Sequence, residues 1–158
     1  MAKHKCIVLR GCSGSGKSTY AKVNYPRAQV FSTDDFWINV HTGAYEFDVK
    51  RHSEAHAWNL RRFIDAVQYA INFDSDPQTF VVDNTNTTVA EFAPYCAIAG
   101  AYGFDVEIVT IDVEVDVAHP RNVHNVPQPV VHGQRRNLVA NNSLIPKWWK
   151  HKKVVQDG

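Results

Sequence analysis

Gly11-Cys12-Ser13-Gly14-Ser15-Gly16-Lys17-Ser18 sets three glycines, a lysine and a serine at the spacing G-x-x-x-x-G-K-[ST]. Glycines let a backbone curl until successive N–H groups face one point, an arrangement suited to an anion. A helix starting directly after them adds the positive end of its dipole. In such a loop Lys17 can reach the outer oxygens of a polyphosphate, and the Ser18 hydroxyl can ligate Mg²⁺. Gly11, Cys12, Ser13, Gly14, Ser15, Gly16, Lys17 and Ser18, with Thr19 beyond them, are therefore the candidate nucleotide contacts, with ATP and Mg²⁺ as the expected cofactors.

Two further clusters of polar residues close apolar runs, where ligands of open α/β sheets gather. Asp34 and Asp35 follow the run at Gln29 to Ser32, and a carboxylate there can take the proton of an attacking hydroxyl. Capping a short helix is the other reading of such a pair. Asp83 ends the run Thr79 to Val82, where an acid would hold Mg²⁺ or its waters, and Asn84, Thr85 and Asn86 could position an acceptor. An Asx-turn is the plainer account of those residues.

The elements that position these groups can be read from patterning. Cys6 to Leu9 predicts a buried strand running into the glycine turn, and Ser18 to Asn24 a helix stopped by Pro26. Asp48 to about Asn72 lacks proline and glycine and carries apolar residues at helical spacing, predicting the longest helix. Val89 to Tyr102 reads as a helix closed by Gly103, and Phe104 to Val113 as a final strong strand. Strands alternating with helices imply an α/β fold, a parallel sheet covered by helices on both faces. The segment from Pro127 onward reads as irregular.

A chain of 158 residues suits one domain, 1–158, and 44% hydrophobic content excludes disorder. The net charge of +1 gives no bulk attraction to polyanions, so any nucleic-acid partner must use a local patch. Three cysteines without a CxxC pair suit a reducing cytoplasm, and Cys6 to Leu9 is too short for a signal core or a membrane span. A soluble cytoplasmic protein without a membrane partner is expected.

The segments Gly11 to Thr19, Ser32 to Trp37, Gly43-Ala-Tyr-Glu-Phe47, Ala55-His-Ala-Trp-Asn59, Val82 to Thr87 and Arg121-Asn-Val-His-Asn-Val-Pro127 recur in order. Together they resemble the P-loop kinase family that includes bacteriophage polynucleotide 5′-hydroxyl kinases, over roughly Lys5 to Pro127. The resemblance implies a P-loop NTPase/kinase fold with a lid, Asp34 as general base, Asp83 holding the Mg²⁺ water shell, and Arg121 closing from the lid onto the ATP phosphates. Arg121 is the only Lys or Arg between Arg62 and Arg135; an ordinary solvated charge is its plainer reading. Lys17, Asp34 and Arg121 are thus the candidate catalytic residues. Where phage polynucleotide kinases carry a strand-gripping Arg, this chain has Trp37, either a stacking platform or a core residue. His56 lies in a family-like segment and is expected, with Asp35, Trp37, Asn84 and Asn86, along the acceptor site.

The resemblance implies transfer of the ATP γ-phosphate to a hydroxyl of nucleic acid, the 5′-hydroxyl end of DNA or RNA leading, in a phage-encoded setting within a host cytoplasm. A 5-hydroxymethyluracil base in phage DNA, a free nucleoside, or no acceptor at all in an ATP-binding switch are the rivals. Lys147-Trp148-Trp149-Lys150-His151-Lys152-Lys153 could clamp nucleic acid or pack the C-terminus onto the sheet. Arg51, Arg61 and Arg62 read as a solvated helix face, and His52 and His56 lack the third ligand that zinc needs.

Overall fold

The run Cys6 to Leu9 forms the middle of β1 (Lys5–Arg10), the central strand of the sheet in the computed structural model, which describes residues 3–156. There follow α1 (Lys17–Asn24), β2 (Gln29–Phe31), a 3₁₀ turn (Thr33–Trp37), α2 (His52–Phe73), β3 (Thr79–Asp83), α3 (Val89–Ala101), β4 (Asp105–Asp112), α4 (Val115–Arg121), α5 (Gln128–Asn142) and β5 (Lys150–Val155). All four pairings are parallel, in the order β2-β3-β1-β4-β5.

Alternation along the strands sends successive side chains to opposite faces, and each face is covered. Cys6, Val8, Phe80, Val82 and Ile108 pack with Phe63 and Val67 of α2 and Phe92 and Cys96 of α3. Ile7, Leu9, Val81, Val109 and Ile111 pack with Ala21 of α1, Ala118 of α4 and Val131 of α5. The expected α/β P-loop fold is therefore present, and Gly103, at φ 82°, follows α3 as the left-handed stop its position suggested.

The chain beyond Pro127 departs from the sequence expectation, and β4 is not the last strand. Residues 128–142 are helical and Lys150–Val155 pairs with β4 from Glu107↔Lys150 to Asp112↔Val155. Neither the clamp nor the packing reading of the basic aromatic segment holds whole. Trp149 packs against the α2/α3 core, whereas Trp148 is 80% exposed. Lys150 pairs with Asp105, Lys153 with Asp112, and Lys152 lies 6.0 Å from the Tyr20 ring, so most of these cations have local partners.

Arg10, at the end of β1, is fully buried. Its guanidinium donates to the carbonyls of Asn86 (2.9 Å), Thr87 (3.1 Å) and Leu138 (3.3 Å), to Thr110 Oγ1 (2.9 Å) and to Asn142 Oδ1 (2.8 Å). It also sits over the Phe92 ring at 5.1 Å. Burial lowers its pKa to about 10, against the opposing pull of Glu91. Arg10→Met strips the side-chain donor from the buried Asn86 and Thr87 carbonyls and leaves Thr110 Oγ1 only its His151 contact, and it is expected to cost about 3–5 kcal/mol, read as a lower urea midpoint with unchanged m.

Cys6, Cys12 and Cys96 are buried free thiols. Burial raises all three, Cys96 to about 12, which keeps them protonated and inert. Among the described residues no helix is long and apolar enough to cross a membrane.

Candidate active site

The glycine loop leaves β1 and enters α1 through Gly14 at φ 82° and Gly16 at φ 96°, conformations costly for any side chain. Space demands glycine as well. A Cβ on Gly14 would lie 2.0 Å from the Ala118 carbonyl oxygen, so the loop rests directly against α4. On the other side, the Ser13 N–H donates to Gln134 Oε1 of α5 at 2.9 Å. Lys17 Nζ donates to the carbonyls of Gly11 (2.9 Å) and Cys12 (3.1 Å), which stations the ammonium over the loop. Burial lowers its pKa, while Asp83, Cys12 and Asp34 pull the other way.

Ser18 Oγ donates to Asp83 Oδ2 at 2.7 Å. Two hard oxygens side by side, one from the helix start and one from the end of β3, are the donor type that Mg²⁺ takes, so these residues fit that metal. The curled loop with its lysine fits a polyphosphate.

Asp34 and Asp35 lie in the first turn of the 3₁₀ segment after β2, capped by Ser32, whose Oγ accepts from Asp34 N at 3.2 Å. The two acids have different surroundings. Asp34 accepts from the Tyr45 hydroxyl at 3.0 Å and faces His124 Nε2 at 3.5 Å. Asp35 is held by Arg62 at 2.8 Å, and Arg62 also donates to the Ser32 carbonyl and to Asn59 Oδ1. Asp35, expected along the acceptor site, makes an ion pair that fastens the turn carrying Asp34. Arg62, read as part of a solvated face, is the tie.

Several acceptor-site expectations need correction. Trp37 is 4% exposed and packs edge-on against Phe36 and Phe47, so it is a core residue and offers no face to a base. Asn86 is buried in the left-handed region at φ 47°; its Nδ2 donates to the Leu9 carbonyl at 2.8 Å, which makes it a brace between β1 and the loop after β3. Asn84 is buried too, and its Oδ1 accepts from the Thr33 N–H (2.9 Å) and hydroxyl (3.1 Å). It anchors the Asp34 turn to β3, a task the Asp83-Asn84 ending suggested only as acceptor binding.

His56 sits in the second turn of α2 with its Nε2 3.2 Å from that of His52. Burial and the neighbouring His52 lower its pKa. Arg121 is the last residue of α4, exposed, and followed by a tight loop in which Asn122 bridges the His119 and Val126 carbonyls. Lys147 and Trp148 precede β5 and therefore lie toward the amino ends of the strands, opposite the glycine loop. Tyr45, His124, Gln134 and Arg10 received no role from the sequence. Tyr45 and His124 do fall inside the family-like segments 43–47 and 121–127, the one available signal.

The chain matches the AAA domain family AAA_33 over residues 6–136. NEDD4-binding protein 2 of Homo sapiens is 38% identical over 104 residues, 63% of this chain and 5% of that protein. The solved complex AvrRxo1-ORF1:-ORF2 with ATP superposes with a TM-score of 0.67 at 19% identity, covering 99% of this chain and 55% of that one. A gluconokinase from Sinorhizobium meliloti 1021 superposes with a TM-score of 0.56 at 14% identity, covering 98% of this chain and 84% of that one. The chain therefore spans a small fraction of the human relative and about half of the AvrRxo1 chain. At such identities the structural likeness concerns fold alone. With a glycine loop at the head of α1, a serine–aspartate pair beside it and residues 6–136 matched, the chain belongs to the AAA_33 family and has the fold of P-loop kinases.

Proposed function

We propose that this protein is an ATP-dependent phosphotransferase acting on a hydroxyl of nucleic acid, with the 5′-hydroxyl end of DNA or RNA as the leading acceptor. The convergence of Lys17, the Ser18–Asp83 pair and Asp34 around one loop carries the transferase part of the reading. ATP with Mg²⁺ supplies the transferable phosphoryl group. The amides of residues 11–18 cradle its phosphates, and Lys17 neutralises charge on the group in flight. Ser18 and Asp83 would hold the metal. Asp34 takes the acceptor proton, and Arg121 adds charge from the end of α4.

The nucleic-acid part rests on the flank beside Asp34. Phe36 and Trp58 are half-buried, 5.6 Å apart, with the Arg51 guanidinium 4.9 Å from the Phe36 ring and that of Arg62 4.4 Å from the Trp58 ring. Aromatic faces beside cations stack bases and neutralise phosphates. The stacking role expected at Trp37 would pass to half-buried Phe36 once a base displaces the Arg51 guanidinium from its ring.

Incubation with [γ-³²P]ATP and, in parallel, 5′-hydroxyl oligonucleotides, duplex containing 5-hydroxymethyluracil, and gluconate tests the acceptor. Label at oligonucleotide 5′ ends is the expected result. Label confined to the modified base or to gluconate discards the 5′-end reading.

A further inference from the structure

Asp34 has a partner on each carboxylate oxygen, and the two partners touch. The Tyr45 hydroxyl donates to Oδ1 at 3.0 Å, His124 Nε2 lies 3.5 Å from Oδ2, and the two rings stack with centroids 3.8 Å apart and planes 14° from parallel. They come from separate segments, the loop after the 3₁₀ turn and the loop after α4, and each is stiffly built. Asn39 Oδ1 accepts from the His41 and Thr42 N–H groups, and its Nδ2 donates to Glu46, while Ile38 bridges to Tyr45. In the other loop Asn122 Oδ1 accepts from Val126 N at 2.7 Å, and Asn125 turns through φ 55°.

We propose that Tyr45 and His124 are positioning residues that clamp the Asp34 carboxylate, Tyr45 fixing Oδ1 and His124 flanking Oδ2 until an acceptor hydroxyl displaces it. The proposal rests on the phosphotransferase reading. Burial and the adjoining Asp34 carboxylate raise the Tyr45 phenol, so that it stays a donor. Among the described residues the ionisable groups recorded against this carboxylate are Tyr45, His124 and Lys17 of α1. The clamp makes the base selective. With His124 3.5 Å from Oδ2, the imidazole competes with water for that oxygen of the half-exposed carboxylate. With His124 removed, that competition ends, and a water can give its proton to Asp34 while its oxygen bonds to the γ-phosphorus, the bond to the β-bridging oxygen breaks and ADP leaves. That is futile hydrolysis.

His124→Ala is expected to raise acceptor-independent ADP release about tenfold relative to phosphate transfer, a ratio indifferent to how much protein is folded. Tyr45→Phe, which keeps the stack and loses the hydroxyl, is expected to lower acceptor-dependent kcat about tenfold with KM for ATP unchanged. An unchanged hydrolysis-to-transfer ratio in the first variant, or an unchanged kcat in the second, overturns the clamp. Should the wild type show no acceptor-dependent turnover, the phosphotransferase reading falls with the gating role, and NMR decides whether the contact itself exists. His124 ring protons shifted upfield by Tyr45, returning downfield in Tyr45→Leu, support the stack; identical shifts in the two proteins refute it.

Discussion

Asp34→Asn is expected to lower acceptor-dependent turnover by about 10²- to 10⁴-fold while ATP affinity stays within about twofold of wild type. Asparagine keeps the shape of the side chain and can still accept from the Tyr45 hydroxyl, so the 3₁₀ turn and its Ser32 cap should persist. What disappears is the ability to take a proton. Single-turnover transfer alongside calorimetric titration with Mg-ATP separates the two quantities. Retention of full turnover would place the base elsewhere; joint loss of turnover and ATP binding would mean that Asp34 belongs to the cradle. A switch module without catalysis shows neither change, because it has no acceptor-dependent turnover to lose.

Arg121→Ala should reduce turnover by about 10³-fold or more, the scale of an arginine that meets the transferring group. The placement follows from the glycine loop. A Cβ on Gly14 would strike the Ala118 carbonyl at 2.0 Å and approach Asn122 N to 3.0 Å, so the last turn of α4 rests on the loop on both sides of Arg121 in sequence. Arg121 itself is exposed, and no ion pair among the described residues engages it. Its removal therefore leaves the unfolding midpoint in place. Arg121→Lys restores charge without the planar fork and should recover part of the rate. If Arg121→Ala turns over normally, residue 121 is the solvated charge of the plainer reading.

The glycine loop was legible because its pattern is local. Eight consecutive residues specify the loop, and the apolar run before them specifies the strand. Asp83 was legible for the same reason, ending a buried strand in the register Leu9↔Asp83. The surroundings of Asp34 were harder to read because their contacts are long-range. No spacing rule brings Tyr45 to His124, and Arg62 reaches Asp35 across 27 positions. Trp37 and Phe36 are adjacent aromatic residues, and only packing against Phe47 decides which is buried. The missed C-terminal elements have another cause. β5 lies at the sheet edge, where Lys150, His151, Lys152 and Lys153 are exposed and no apolar alternation is needed, and such lysines guard an open edge against further pairing. α5 buries only Val131 and Leu138, too sparse a stripe to outweigh Pro129, Gly133 and its asparagines.

The order β2-β3-β1-β4-β5 puts the glycine loop on the innermost strand and Asp34 after β2, an edge strand of three residues. Asp34 is kept in place by side-chain tethers from Asn84 and Arg62 more than by a long ladder of strand bonds. On the phosphotransferase proposal, the rim of the sheet can be re-tailored to a new alcohol while the middle, where the triphosphate would sit, is left untouched. A scaffold divided in this way can diversify its acceptors with little penalty to its stability.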